Sequence, residues 1–527
     1  MKTLKLKEWS HHATIGRSSA ILLIAAAMQT LSLPTLQAAT PQKEITDSGI
    51  TSVIEGGLAH EKGVVPDDVD VNTSQGIVTV SGSVDNLLAK RRAVKIAESI
   101  RGVLGVIDRI IVTPVSPPDE DIRKDILAAL LQDPATESYQ VAVGVQDAVA
   151  TLTGGVGSYG EKQLAARLAE GVKGVKEVDN NVTINYLANR TDPEIAADVK
   201  ARLQWDIWMN GSVINSVVKD GKVTLTGTIG SAISEDRALD DAWVNGVTSV
   251  NYSGLKVDPQ THSVTHQEVT DATRPDSEIK LAVQASLHLD PRVSTFSPDV
   301  TVEGGMVVLG GNVGNLKAKT SAAQDALNIV GVEGVDNFLK VRPKGRPTDA
   351  EMGNELKAAL FWDPMVDSST ITVAVINRVA YLSGGVDSGF EKNEAQDVAS
   401  RIKGVLLIRN HLKVEPEHLI SDYDYADYSA YSGYYGWPYY NDQPTELEMV
   451  GPRPTWSDER IKKNIEDKFF WSPFVDRDDI KVTVNGAVAT LTGTVETWVG
   501  WNEADKDAHK SGATAVLDQI KVKKHWL

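Results

Sequence analysis

Two groups of residues have types and spacings that could hold a cofactor or a metal. Gly155-Val156-Gly157-Ser158-Tyr159-Gly160 matches G-x-G-x-x-G, which cradles a pyrophosphate when it joins a strand to a helix in a parallel β-α-β fold. His262 and His266 lie four residues apart with Glu268 nearby, and on a helix these side chains would share one face as metal ligands. The histidines lie in a polar stretch and the chain has no cysteine. Neither group alone makes a site.

Two clusters of basic residues are candidates for binding anionic lipid. Lys90, Arg91, Arg92 and Lys95 form the first, and Lys521, Lys523 and Lys524 form the second. Each basic residue close to a charged membrane contributes about 1 kcal/mol to binding. The alternative for both clusters is an ordinary solvated protein face.

The composition excludes several functional classes. No Ser-His-Asp arrangement and no carboxylate pair recurs at a fixed position, so we predict that the protein is not an enzyme. The formal charge is −18, and loss of residues 1–38, which carry four basic side chains and one acidic one, takes it to −21. This balance opposes nucleic-acid binding, which needs clustered Lys and Arg. It also opposes long-range attraction to anionic membranes.

The elements that would carry these residues follow a sixfold repeat. Each copy has an alternating strand that ends in glycine, at Gly82, Gly154, Gly227, Gly311, Gly384 and Gly493. An amphipathic stretch closes 22 residues before each of these glycines. A second glycine follows after 19 or 20 residues, at Gly102, Gly174, Gly246, Gly331, Gly404 and Gly512. We interpret both sets as structural, the first for positive φ or close backbone approach and the second as a left-handed end to a helix.

Periodicity within each copy predicts the order α-β-β-α-β. In the first copy, residues 47–60 and 85–100 predict helices, and Gln75-Gly76 predicts the turn of a hairpin. The other five copies have no G-x-G-x-x-G, and this order lacks a parallel β-α-β unit, so we predict no cofactor. The histidines lie in a polar stretch of a chain without cysteine, so we also predict no metal site. Trp205, Trp362 and Trp471 share the position that closes the first helix. Each is either a core side chain between helix and sheet or an exposed aromatic that contacts lipid or a partner.

The repeat sets the domain boundaries. Residues 1–38 are predicted to be a secretory signal peptide, with basic residues before an apolar core and Leu36-Gln37-Ala38 at the cleavage site. The six copies are placed at 46–114, 118–187, 191–258, 275–343, 347–415 and 456–524. Residues 259–274 form a polar linker. Residues 416–455 form a second linker, which contains eight of the thirteen tyrosines.

A signal peptide followed by αββαβ copies with a Val-x-Leu-x-Gly strand resembles the BON family, named for bacterial osmotic-stress and nodulation proteins. The resemblance implies an α+β fold of six tandem modules, each a three-stranded sheet with two helices on one face. It also implies residence in the bacterial envelope and, as in several members, binding to phospholipid. The family has no catalytic residues to carry over.

We therefore predict a non-enzymatic exported envelope protein. The leading hypothesis is that its modules bind phospholipid surfaces and support envelope integrity or the osmotic-stress response. The alternative is a multivalent scaffold for envelope proteins or cell-wall polymer, in which several weak sites add avidity. In either case we expect a periplasmic protein without a lipid anchor, because the chain has no cysteine to carry one.

Overall fold

The computed structural model describes residues 45–58, 63–64, 68–115, 117–137, 139–209, 212–258, 274–386, 389–414, 457–513 and 515–523. The predicted signal peptide, the linker histidines and the tyrosine-rich linker lie outside these residues. Among the described helices, none is long and apolar enough to cross a membrane.

Six α-β-β-α-β modules follow one another in the chain, as predicted. The helices of modules 1 to 3 are Asp47–Leu58 and Leu87–Glu98, Asp119–Gln132 and Tyr159–Glu170, and Asp192–Trp205 and Ile233–Ala242. Their strands are Val69–Ser74, Ile77–Val84 and Gly105–Val112, then Gln140–Gln146, Val149–Val156 and Glu177–Ile184, then Val213–Lys219, Lys222–Ile229 and Ser249–Val257.

Modules 4 to 6 repeat the order. Their helices are Asp276–Leu289, Pro291–Ser294 and Leu316–Leu327, then Asp349–Trp362 and Gly389–Arg401, then Asp458–Trp471 and Trp498–Lys510. Their strands are Asp299–Glu303, Met306–Gly310, Asn312–Val313, Gly334–Asn337 and Lys340–Val341, then Ile371–Ile376, Val379–Val386 and Leu407–Val414, then Ile480–Asn485, Val488–Val495 and Ala515–Val522. Short 3₁₀ turns at Ile207–Met209, Ser368–Thr370 and Arg477–Asp479 precede the first strand of modules 3, 5 and 6.

The modules share one sheet topology, and in module 4 the second and third strands are each broken into two segments. The first two strands form an antiparallel hairpin, and the third strand pairs parallel to the second, which lies in the middle. Apolar and polar residues alternate along the second strand because the helices cover one face of the sheet. Val78 and Val80 on that face are fully buried against helix residues such as Ile54 and Ala93. Both helices cover that face, which confirms the predicted α+β fold.

The strand-ending glycines all have φ between 104° and 136°, a region that L side chains rarely adopt. At Gly154 an added Cβ would overlap the carbonyl oxygen of Gln140 on the neighbouring strand. The second glycines also have positive φ. Gly512 of module 6 follows two residues after its helix ends at Lys510, as expected, but in modules 1 to 5 the glycine does not end the second helix. That helix ends earlier, at Glu98 in module 1 and Glu170 in module 2, and Gly102 and Gly174 lie in the turn that leads to the last strand.

An aspartate at the start of each first helix joins that helix to the hairpin. In module 2 the carboxylate of Asp119 accepts hydrogen bonds from the backbone amides of Asp147 and Ala148, both of which have positive φ. The same pair of bonds, 2.7–3.0 Å long, recurs in all six modules, from Asp47, Asp119, Asp192, Asp276, Asp349 and Asp458. Our sequence reasoning missed this contact, although each aspartate lies 35 residues before its strand-ending glycine.

Candidate functional site

The first predicted basic cluster lies among other modules. Lys90 pairs with Asp108 at 3.2 Å within module 1. Arg91 pairs with Glu170 of module 2, and Lys95 pairs with Asp236 of module 3 and with Glu98 at 2.9 Å. The guanidinium of Arg92 lies 3.5 Å above the ring of Phe390 in module 5. Arg91, Lys95 and Arg92 therefore join module 1 to modules 2, 3 and 5, whereas Lys90 pairs within module 1. Lipid binding by these four side chains stays a prediction.

Ionisation of Glu98 is disfavoured at this junction. Burial raises its pKa to about 7, and although Lys95 lowers it, Asp236 raises it further. For Lys95, burial is outweighed by Glu98 and Asp236, so its pKa is raised. The contact between modules 1 and 3 is thus a compact group of mutually dependent charges.

The second predicted cluster lies on module 6. Lys521 is exposed on the last strand. Lys523 bridges Asp479 at 3.0 Å and Glu496 at 2.6 Å, and Lys524 lies outside the described residues. Within this part of the chain, Lys521 is the member of the cluster that faces solvent most openly.

The three tryptophans that end first helices all contact other modules. The carbonyl of Trp205 accepts a hydrogen bond of 2.8 Å from the amide of Val330 in module 4. The carbonyl of Trp362 accepts one of 2.7 Å from Lys173 in module 2, and that of Trp471 one of 2.8 Å from Arg101 in module 1. Each donor directly precedes the second glycine of its module, so the three docks are equivalent.

The tryptophan rings follow the same pairing. Trp471 is 6% exposed and belongs to the apolar core of module 1. Trp205 packs against the joint core of modules 4 and 5. Trp362 packs both against the core of module 2 and against that joint core, which includes its own module. The modules thus pair as 1 with 6, 2 with 5 and 3 with 4, and each pair has one tryptophan of this set. Of the two interpretations of these tryptophans, contact with a partner agrees better with the structure, and the partners are modules of the same chain.

Buried ion pairs join modules 4 and 5. Lys317 of module 4 lies 2.7 Å from Asp397 of module 5, with both side chains less than 9% exposed, and Arg401 also contacts Asp397. Although burial alone would raise the pKa of Asp397, Lys317 and Arg401 hold it well below its usual range. Nearby Asp363 has a pKa raised to about 8 by burial and by Glu394. Such a network holds two modules in one relative position.

The G-x-G-x-x-G sequence is explained by packing. The amide of Gly157 donates to the carboxylate of Glu161, which takes the place that an anion would need at the helix N-terminus. An added Cβ at Gly160 would come within 2.9 Å of the carbonyl oxygen of Leu289 in module 4. These glycines therefore cap a helix and let two modules approach.

A model of the BON domain matches residues 46–114, 118–186, 191–259, 275–343, 348–416 and 457–524, well over half of the chain. The chain belongs to the BON family. Its six modules are BON domains.

Two relatives share part of this BON array. The chain is 32% identical over 143 residues to osmotically-inducible protein Y of Escherichia coli (strain K12), covering 26% of this chain and 71% of that protein. It is 29% identical over 162 residues to the outer membrane lipoprotein DolP of Haemophilus influenzae, covering 30% and 75%. CdsD, a structural protein of the Type III secretion system of Chlamydia trachomatis, shows 16% identity, coverage of 39% and 91%, and a TM-score of 0.11. That last likeness carries no argument.

The BON sheets differ in the charge of their strands. In module 3 the strands Val213–Lys219, Lys222–Ile229 and Ser249–Val257 contain no Asp or Glu, and Lys219, Lys222 and Lys256 are exposed on them. The strands of module 5 also lack acids and expose Arg409 and Lys413.

In module 6 the strands carry one acid, Asp518. Asp518 lies on the same face of the strand as buried Ile520, whose amide donates a hydrogen bond to the Asp518 carboxylate. Burial together with Asp505 raises the pKa of Asp518 to about 6. Lys481 and Lys521 are exposed on the opposite face of the sheet. The outward face of module 6 therefore also shows basic residues without a carboxylate.

The outward faces of modules 3, 5 and 6, called here the basic sheet faces, belong to the three BON modules whose first helix ends in tryptophan. The strands of the other three modules carry exposed acids, among them Asp70, Asp179 and Asp299. Each docked pair thus has one basic sheet face. Our sequence reasoning found Lys521 alone, although the absence of acids from these strands is visible in the sequence.

A cleft of about 490 Å³ opens where BON modules 1, 3 and 6 meet. Trp208 and Phe474 pack edge to face on its wall, with ring centroids 4.8 Å apart, and Arg101 and Lys523 also line it. Both cations are engaged, Arg101 with the carbonyls of Ser472 and Val475 and Lys523 with two carboxylates. Among the described residues, no group of three or more His, Cys, Asp or Glu could hold a metal ion. The cations that line this cleft thus serve contacts within and between modules.

Proposed function

We propose that the protein is a non-enzymatic protein of the bacterial envelope, exported to the periplasm, whose BON modules bind phospholipid surfaces and support the envelope under osmotic stress. One relative is named for osmotic induction and another as an outer membrane lipoprotein, which supports this setting. The observation that carries the lipid proposal is the set of basic sheet faces in a chain of charge −18.

The basic sheet faces suit anionic head groups at short range. Module 3 exposes Lys219, Lys222 and Lys256 beside Val213 and Val217, which are 56% and 65% exposed. Lysines attract phosphate, while exposed valines have apolar surface to bury at the boundary of the acyl chains. Since the Debye length at physiological salt is about 8 Å, the acids elsewhere in the chain weaken this attraction little once the face lies on the membrane.

Co-sedimentation with liposomes tests the proposal. We expect salt-sensitive binding to vesicles containing phosphatidylglycerol, and much weaker binding to phosphatidylcholine. Replacing Lys219, Lys222 and Lys256 together by Glu should lower binding to anionic vesicles at least about 10-fold, because each basic residue contributes about 1 kcal/mol.

A matched control replaces Lys124, Lys200 and Lys357, which are exposed on first helices, by Glu. It changes the net charge equally and should leave most of the binding. Equal losses in both variants would overturn the assignment to the sheet face. Absence of binding to any vesicle would overturn the lipid proposal, and retention on isolated peptidoglycan instead would favour the scaffold for cell-wall polymer.

A further inference from the structure

The docking contact of the tryptophan modules does not depend on how far apart two modules lie in the chain. Modules 3 and 4 are consecutive, modules 2 and 5 are separated by two others, and modules 1 and 6 are the two ends of the array. In all three pairs the tryptophan carbonyl accepts a hydrogen bond from the residue before the second glycine. The contact is therefore an interface in its own right, and covalent proximity does not create it.

Module 6 makes the most complete version of this contact. The ring of Trp471 is buried in the core of module 1, where Gly49 leaves room for it. The guanidinium of Arg101 donates to the carbonyl of Ser472 at 2.7 and 3.0 Å and to that of Val475 at 2.9 Å. A buried Trp and an Arg are the residue types that most often dominate the energy of an interface.

The connection between modules 5 and 6 is much longer in sequence than that between modules 4 and 5. Residues 415–457 join the last strand of module 5 to the first helix of module 6, whereas residues 342–348 suffice between the last strand of module 4 and the first helix of module 5. A covalent connection of this length holds two modules at an effective concentration on the order of millimolar. Docking within one chain therefore prevails in dilute solution, although the interface itself does not require it.

We propose that module 6 is an exchangeable ligand of module 1, and that its second partner is module 1 of another copy of this chain. The ligand surface is the end of the first helix at Trp471, with the following carbonyls. The receptor surface is Arg101 with the core that holds the tryptophan. Exchange between copies would link BON arrays end to end, and this inference goes beyond binding to lipid.

Complementation between two full-length variants tests the exchange. Arg101→Glu damages the receptor and leaves the ligand intact. It places a carboxylate near Asp476, whose negative charge favours the charged form of Arg101 in the wild type by raising its pKa. Trp471→Ala damages the ligand and leaves the receptor. Each variant alone should be a monomer by light scattering, and an equimolar mixture should form a dimer with one chain of each. The control mixes Arg101→Glu with Leu517→Ala, which truncates an exposed side chain of module 6. This mixture should form no dimer, because the Leu517→Ala chain keeps both surfaces and docks within itself.

A second measurement keeps the wild-type interface. A protease site inserted within residues 416–455 permits cleavage of the folded full-length chain. Module 6 should then co-elute with modules 1–5 and transfer to an isotope-labelled cleaved copy, as seen by native mass spectrometry. Trp471→Ala should weaken the retention at least about 10-fold. Immediate release of wild-type module 6, retention without transfer, or a folded variant mixture that stays monomeric would each overturn the proposal.

Discussion

The carbonyl of Trp471 accepts a hydrogen bond of 2.8 Å from the amide of Arg101, and this contact joins the last BON module to the first. The same relationship between a helix end and the turn before a last strand joins two other pairs of modules. Six marginal domains of about 70 residues each thereby share their apolar surface. Mutations at these docks should act on the whole array.

The strand-ending glycine of module 2 should be intolerant of any side chain. We expect Gly154→Ala to lower the free energy of unfolding by more than about 2 kcal/mol, because φ is 127° and the new Cβ would overlap the carbonyl of Gln140. Chemical denaturation of the full chain measures this loss. Gly144→Ala is the control, since it lies in the neighbouring strand with nothing within 4 Å of an added Cβ, and a similar loss there would contradict the explanation.

The aspartate that joins first helix and hairpin should contribute more than its exposed neighbours. Asp119→Ala removes the charged acceptor of two turn amides, and we expect a loss of about 2 kcal/mol in unfolding free energy. Asp121→Ala, two residues along the same helix, removes an exposed pair with Lys124 and should change stability by less than about 0.5 kcal/mol. Equal effects in thermal unfolding would show that the hairpin contact contributes little.

Stability should fall as pH rises from 5 to 8, in part through Glu98. Its pKa is about 7 in the folded protein against 4.5 for the free side chain, so the folded state binds the proton more tightly. That stabilisation is complete below pH 4.5 and is lost as pH rises through 7. Glu98→Gln should flatten the dependence of melting temperature on pH, by the equivalent of about 2 kcal/mol. Glu459→Gln, on an exposed position, should leave the slope unchanged.

Breaking the buried pair between modules 4 and 5 should be costly. Lys317→Met leaves Asp397 buried with Arg401 alone, and we expect a loss of about 3 kcal/mol in unfolding free energy. The double variant Lys317→Met with Asp397→Leu should differ from the sum of the single variants, which a double-mutant cycle measures. Lys340→Met, at an exposed position of module 4, is the control. Additive effects would mean that the two side chains act independently.

Much of the module was predictable because its causes are local. The alternation of Val78 and Val80, the turn at Gln75-Gly76 and the positive φ of Gly154 follow from side-chain period and backbone sterics over a few residues. The aspartate contact was also readable in principle, since the same residue recurs at one offset in all six copies. The role of the second glycines in modules 1 to 5 was predicted wrongly because a turn and a helix end make the same demand for positive φ.

The sequence by itself determined the repeat, the fold of each module and the charge of each strand. Only the tertiary structure decided that Trp205, Trp362 and Trp471 dock modules in nested pairs, and that Arg91, Arg92 and Lys95 are engaged by modules 2, 5 and 3. The physical reason is range. Periodicity and φ act between neighbours in the chain, whereas docking depends on which two finished surfaces meet in space, and a single sequence does not record that meeting.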